Sequence, residues 1–192
     1  MSAVVVDPRN WGARPEEREA RYPCEGLLPP PAEEWFRAVT VRAERAVVFR
    51  WLCQLKVAPY SWDVLDNFGR LSPRSLTPGA EVLEHGQRVM TIFELTDFEV
   101  DRHLTMVLDT PWARGAFGGF AISYVVQDDG PGLTRLVVKL LVGRGGGPLG
   151  RLRCRAMAWG DLFMMRRQLE TLRSLAEGTA GEHGRSDGAT GK

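Results

Sequence analysis

Residues 148–177 place the strongest constraint on what this chain can fold into. Pro148 suits a first helical turn, where its missing N–H is not needed, and apolar residues then recur at helical spacing. At roughly 100° per residue, Cys154, Met157, Ala158, Met164, Met165, Leu169, Leu172 and Leu175 share one broad face. A helix of that length has to bury such a face against another element. What precedes it is strand material, so the expected core is a helix packed on a sheet.

The strands show by alternation and by their turns. Residues 117–127 and 133–142 flank Asp128-Asp129-Gly130-Pro131-Gly132, which has the composition of a hairpin connection. Leu136, Val138, Leu140 and Val142 alternate with Arg135 and Lys139, which predicts one covered face and one wet face. Residues 89–100 and 103–109 read as two more strands, separated at Asp101-Arg102. Upstream, residues 35–43 read as a strand, and residues 44–55 as a helix with Val47, Val48, Trp51, Leu52 and Leu55 on one face. Pro59 opens a second short helical segment, expected to stop near Gly69, and residues 70–87 read as a long loop. The order predicts an α+β fold: an antiparallel sheet of about six strands, two short helices and one long C-terminal helix.

Flanking this block, residues 1–32 are proline-rich and charged but hold Trp11, Tyr22, Leu27 and Leu28 as anchors, so they are expected to lie over the domain as an arm. Residues 33–177 form the expected domain, and residues 178–192, with little to bury, are expected to be disordered. Apolar residues at 44%, charged residues at 26% and a net charge of +1 allow an ordinary core and give no bulk field for nucleic acid. Three scattered cysteines, no secretory signal and no apolar run of membrane-spanning length point to a cytoplasmic protein without stable membrane insertion. Oligomeric state is left open.

The stretches at 35–55, Ala58-Pro59-Tyr60-Ser61-Trp62-Asp63, 67–73 and 160–169, in this order, resemble the START/polyketide-cyclase/birch-pollen-allergen superfamily (SRPBCC), in particular a bacterial subgroup. The resemblance spans about residues 33–177. It implies the helix-grip fold, a curved sheet wrapped around the long helix, enclosing a cavity for a hydrophobic or polyketide-like small molecule. The activity it implies, if the chain is an enzyme, is cyclisation, dehydration or isomerisation by acid–base chemistry. The alternatives are a non-catalytic carrier or sensor, or a co-chaperone-like interaction module.

Candidate residues follow from position. Asp161 falls in the apolar face of the long helix, where a carboxylate costs desolvation unless it is compensated. Such a carboxylate either pairs with a buried donor as part of the structure or stands in the cavity as a catalytic group. Tyr124, which shares a strand face with Phe120, Ile122 and Val126, and Glu94 are its expected partners, catalytic in the second case. Met157, Met164, Phe120, Trp112, Tyr60 and Trp62 are expected to line the ligand site, the methionines because flexible thioethers adapt to varied apolar shapes. Arginines 144, 151, 153 and 155 form either a solvated face or a holder for an anionic head group. His85, His103 and His183 lack ligand spacing, so no metal is expected, and no cofactor motif is present.

Overall fold

The structure is a computed structural model. It describes residues 7–30, 32–62, 71–108, 110–111, 119–143 and 147–189, with long-helix side chains at 150 and 152–181. Among these residues the elements run β1 (Asn10–Trp11), α1 (Pro15–Glu19), β2 (Ala32–Val41), α2 (Arg45–Cys53) with a 3-10 turn (Gln54–Lys56), then β3 (Arg88–Val89) and β4 (Phe93–Glu99). They continue with β5 (His103–Leu108), β6 (Phe120–Asp128), β7 (Thr134–Gly143) and α3 (Gly147–Ala189). The seven strands form one curved sheet in the order β1-β2-β7-β6-β5-β4-β3. Every pairing is antiparallel except β1 on β2, and that extra edge strand comes from the arm. This is the helix-grip α+β fold.

Register explains why α3 lies where it does. Ile122, Tyr124 and Val126 of β6 stand opposite Leu140, Val138 and Leu136 of β7. Trp35 and Val39 of β2 add to the same sheet face. Cys154, Ala158, Met165, Leu169, Leu172 and Ala176 of α3 fill that face together with Val48, Trp51 and Leu52 of α2. The β6–β7 turn needs two glycines, because Gly130 (φ 115°) and Gly132 (φ 66°) adopt backbone that side chains rarely tolerate.

The other sheet face is not wet as expected. Arg135 and Lys139 are buried, and β7 is covered on both sides. The cover is the arm: Tyr22 and Cys24 pack on Phe36, Ala38, Ala121, Val137 and Leu141. Arg135 donates to both carboxylate oxygens of Glu17 (2.6 and 3.0 Å), to Thr40 Oγ1 (3.2 Å) and to the Gly12 carbonyl. Lys139 Nζ meets Glu25 (2.9 Å) and Glu34 (3.3 Å) and sits over the Tyr22 and Phe36 rings. Gly12 (φ 75°) lets the arm pass, since a Cβ there would come within 2.2 Å of the Ala38 carbonyl oxygen.

Three local expectations change. The strand expected over 89–100 breaks into β3 and β4, because Met90 (φ 47°) and Thr91 (φ 69°) are left-handed. Residues 59–62 make no helical turn, Tyr60 being left-handed (φ 57°), and the rest of that expected helix lies outside the described residues. The long helix passes Glu177: Ala176 is buried, Ala180 packs on the core, and Trp51 Nε1 donates to Thr179 Oγ1 at 3.1 Å. No helix among the described residues is long and apolar enough to cross a membrane.

Removing residues 1–30 should lower Tm by about 10 °C or more, since it strands the buried Arg135 and Lys139. Removing 182–192 should leave Tm within about 2 °C, because the core contacts described above end at Ala180. Differential scanning calorimetry of the two truncations, with similar shifts for both, would contradict the covering role of the arm.

Candidate ligand site

Two polar side chains interrupt the sheet-facing stripe of α3, Asp161 and Gln168, about two turns apart with Met165 between them. Asp161 Oδ2 accepts from Arg37 Nη2 at 2.7 Å. Arg37 stands on β2 between Trp35 and Val39, on the core face, and is fully buried. Its other donors reach the Phe36 carbonyl (Nη1, 2.8 Å) and the Pro8 carbonyl (Nη2, 2.8 Å), and its Nε has no partner among the described residues. The Asp161 side chain keeps 16% of its surface exposed. Burial pushes its carboxyl up to about 6, against the pull of the Arg37 charge and hydrogen bond. Burial likewise lowers the Arg37 guanidinium, against Asp161.

Beside this pair, Arg9 Nε donates to Glu33 Oε2 at 2.9 Å, and the Trp35 indole donates to the same oxygen at 3.2 Å. Farther along the helix, Tyr124 Oη donates to Gln168 Oε1 at 2.7 Å, and Gln168 Nε2 donates to the Pro59 carbonyl at 2.6 Å. Burial, and to a lesser degree the charge of Asp161, push the Tyr124 phenol far above its ordinary value, against the hydrogen bond to Gln168. A phenol so held keeps its proton at neutral pH and works as a fixed donor.

The structure therefore does not assemble the expected catalytic trio. Asp161 is bonded to Arg37, Tyr124 to Gln168, and Glu94 lies elsewhere: it alternates with the core residues Phe93 and Leu95 and stands opposite Arg88 and Val107 in neighbouring strands. Val107 packs on the outer cluster, which places Glu94 on the sheet face away from α3. Of the expected ligand-lining residues, Phe120 makes an edge contact with Trp35 (6.0 Å) and Tyr60 with Trp51 (6.2 Å). Met157 is half-buried against the core, and Met164 is half-buried too. Trp62 is exposed and stacks on Phe163 (4.9 Å, 6°), with Arg167 over its ring. Trp112 lies outside the described residues.

Among the described residues, a crevice borders the long helix. It holds about 160 Å³ and is lined by Tyr60, Ser61, Leu71–Arg74, Arg167, Thr171 and Leu175. Tyr60, Leu71 and Leu175 give it apolar walls; Arg74 and Arg167 give it two cations beside hydroxyls. The residues that sequence reasoning missed are Arg37, Gln168 and Arg167. The first two carried a signal, since each is a polar residue in phase with an apolar stripe, on β2 and on α3. Arg167 carried none, because an arginine on a helix flank is ordinary.

Sheet order and helix packing define the class, a helix-grip protein. No protein-family model and no curated protein matches the sequence. Solved structures match in chain path. The chain is similar to a Mesorhizobium loti protein at 16% identity, over 77% of this chain and 98% of that one, with a TM-score of 0.49. It is similar to a START superfamily protein from Mycobacterium smegmatis at 14% identity, over 78% and 97%, with a TM-score of 0.41. A Thalictrum norcoclaurine synthase, solved with a transition-state analogue, is 10% identical over 78% and 96%, with a TM-score of 0.43. These are likenesses of fold alone.

Two variants test the polar stripe. The folded-state value of Asp161 lies above its unfolded value of about 4, so its favourable contribution is complete below pH 4 and is lost as pH rises through 6. Denaturant titrations from pH 4 to 7 should show wild type losing about 2–3 kcal/mol relative to Asp161→Asn. A pH-independent difference would mean that the carboxyl titrates normally. Tyr124→Phe should cost about 1–2 kcal/mol at neutral pH, because Gln168 loses its donor in a buried setting. No measurable loss by the same denaturant assay would remove the Tyr124–Gln168 bond from the stability of the core.

Proposed function

We propose that the chain binds an amphipathic small molecule with a hydrophobic or polyketide-like body and an anionic group. The helix-grip domain of residues 33–177 holds it, with residues 1–32 as a covering arm. The observation that carries this reading is the crevice beside α3, where Arg74 and Arg167 face a space walled by Tyr60, Leu71 and Leu175. Two guanidiniums beside hydroxyls suit a carboxylate or phosphate, and the apolar walls suit the carbon skeleton next to it. The carrier or sensor role is favoured over turnover, because Asp161 and Tyr124 are each engaged by a different side chain across the sheet–helix interface, Arg37 for one and Gln168 for the other.

A second reading rests on Asp161. A carboxyl near 6 is suited to proton transfer. Cyclisation, dehydration or isomerisation would require the Arg37–Asp161 contact to open toward substrate.

Isothermal titration with fatty and aromatic carboxylates, each paired with its methyl ester, tests the binding reading. The acids should bind more tightly than the esters, and Arg167→Ala should weaken the acids about tenfold while leaving the esters unchanged. Failure of every acid to bind, or equal loss for acids and esters, counts against the crevice as the anion site.

A further inference from the structure

The long helix carries apolar residues on its outer face as well as on its inner one. Leu152, Trp159 and Phe163 are 66%, 47% and 56% exposed. With Ala156 they recur at helical spacing and form one stripe, about 16 Å long. Trp62 extends it by stacking on Phe163. Arginines border the stripe: Arg155 and Arg166 on one side and Arg167 on the other, all exposed. From 147 to 167 the helix contains five arginines and a single acid, Asp161, whose charge is taken up by Arg37. The face is a convex, aromatic ridge with cations on both flanks, and none of it is needed for the core.

We propose that this ridge is a docking surface for an anionic lipid bilayer. Tryptophan, leucine and phenylalanine suit the boundary between head groups and acyl chains, and flanking arginines suit lipid phosphates. Charge argues against a second copy as the occupant. A two-fold pairing of the same helix face sets arginine against arginine, and the acid next along that face among the described residues, Glu170, is already bonded to Arg166 at 2.9 Å. The shape argues for a soft surface too, because a convex ridge has no groove to receive a partner element. The two sites share Arg167, but the residues on which the ridge is tested, Leu152, Arg155 and Trp159, take no part in the crevice.

Co-sedimentation with vesicles of equal parts phosphatidylcholine and phosphatidylglycerol, against phosphatidylcholine alone, tests the proposal on the full chain. The protein should sediment with the anionic vesicles and be released by high salt. Trp emission should shift to the blue on binding, and the shift should be smaller in Trp159→Phe. Trp159→Ala and Leu152→Ser should each weaken binding about tenfold, and Arg155→Ala about fivefold, with Arg155→Lys restoring most of it. Tm should be unchanged, since these side chains are exposed; the lipid and salt dependence of wild type decides the matter even if a variant misfolds. No sedimentation with anionic vesicles, or equal sedimentation with neutral ones, overturns the proposal. So does capture by polyglutamate as strong as by vesicles and insensitive to Trp159→Ala. A dimer that light scattering shows falling apart on Leu152→Ser overturns it too, and gives the ridge to a second copy.

Discussion

A fully buried guanidinium, Arg37, sets the terms for the rest of the structure. It stands in the middle of a strand face shared with Glu33, Trp35, Val39 and Val41, beneath the long helix. A charge there is costly unless it is hydrogen-bonded, and three different segments bond its two terminal nitrogens. Pro8 comes from the arm, Phe36 from the strand itself and Asp161 from the helix. The arm, the sheet edge and the helix are thereby held at one point. The position of Asp161 in an apolar stripe follows from this: it is the counter-charge to an arginine contributed from far away in the sequence.

The outer face repeats the device on the neighbouring strand, β7. Arg135 and Lys139 sit where alternation puts a solvent-facing residue, and the arm supplies Glu17 and Glu25 over them. Burial alone would raise the Glu17 carboxyl, but hydrogen bonds from Arg135 and the Arg14 amide hold it below the ordinary value. That pair contributes stability above the unfolded carboxylate pKa and loses it as pH falls, the reverse of Asp161. Buried charges of this kind add little net stability compared with apolar packing, but each is costly to leave alone. They fix where the arm lies more than how tightly the domain holds.

The elements were legible in the sequence because periodicity reports local geometry. The hairpin at 128–132, the strand around Val39 and the helix around Trp51 all follow from spacing and turn residues. What could not be read was which faces are covered twice. Arg135 and Lys139 look solvated until a segment more than a hundred residues earlier is known to lie across them. Arg37 looked like one more polar residue in a strand, although its phase with Trp35, Val39 and Val41 already placed it inward. Asp161 and Tyr124 were legible as unusual positions but not as members of two separate pairs, because partner choice depends on how strands and helix align in space.

The long helix shows why a single helical projection misleads here. Its inward face contains Asp161 and Gln168, each bonded to a sheet residue or its neighbourhood, while its outward face contains Leu152, Trp159 and Phe163. Polar residues inside and apolar ones outside blur the contrast on which an amphipathic reading depends. The inner exceptions are explained by partners in the fold, Arg37 for one and Tyr124 with Pro59 for the other. Among the described residues the outer exceptions have no such partner in the core; Phe163 stacks on Trp62, itself exposed. Packing therefore accounts for the polar departures from the pattern and leaves the apolar ones without a role in the fold. Large apolar groups gathered on one helix face between arginines add nothing to the core among the described residues, so their use is sought in what the chain meets.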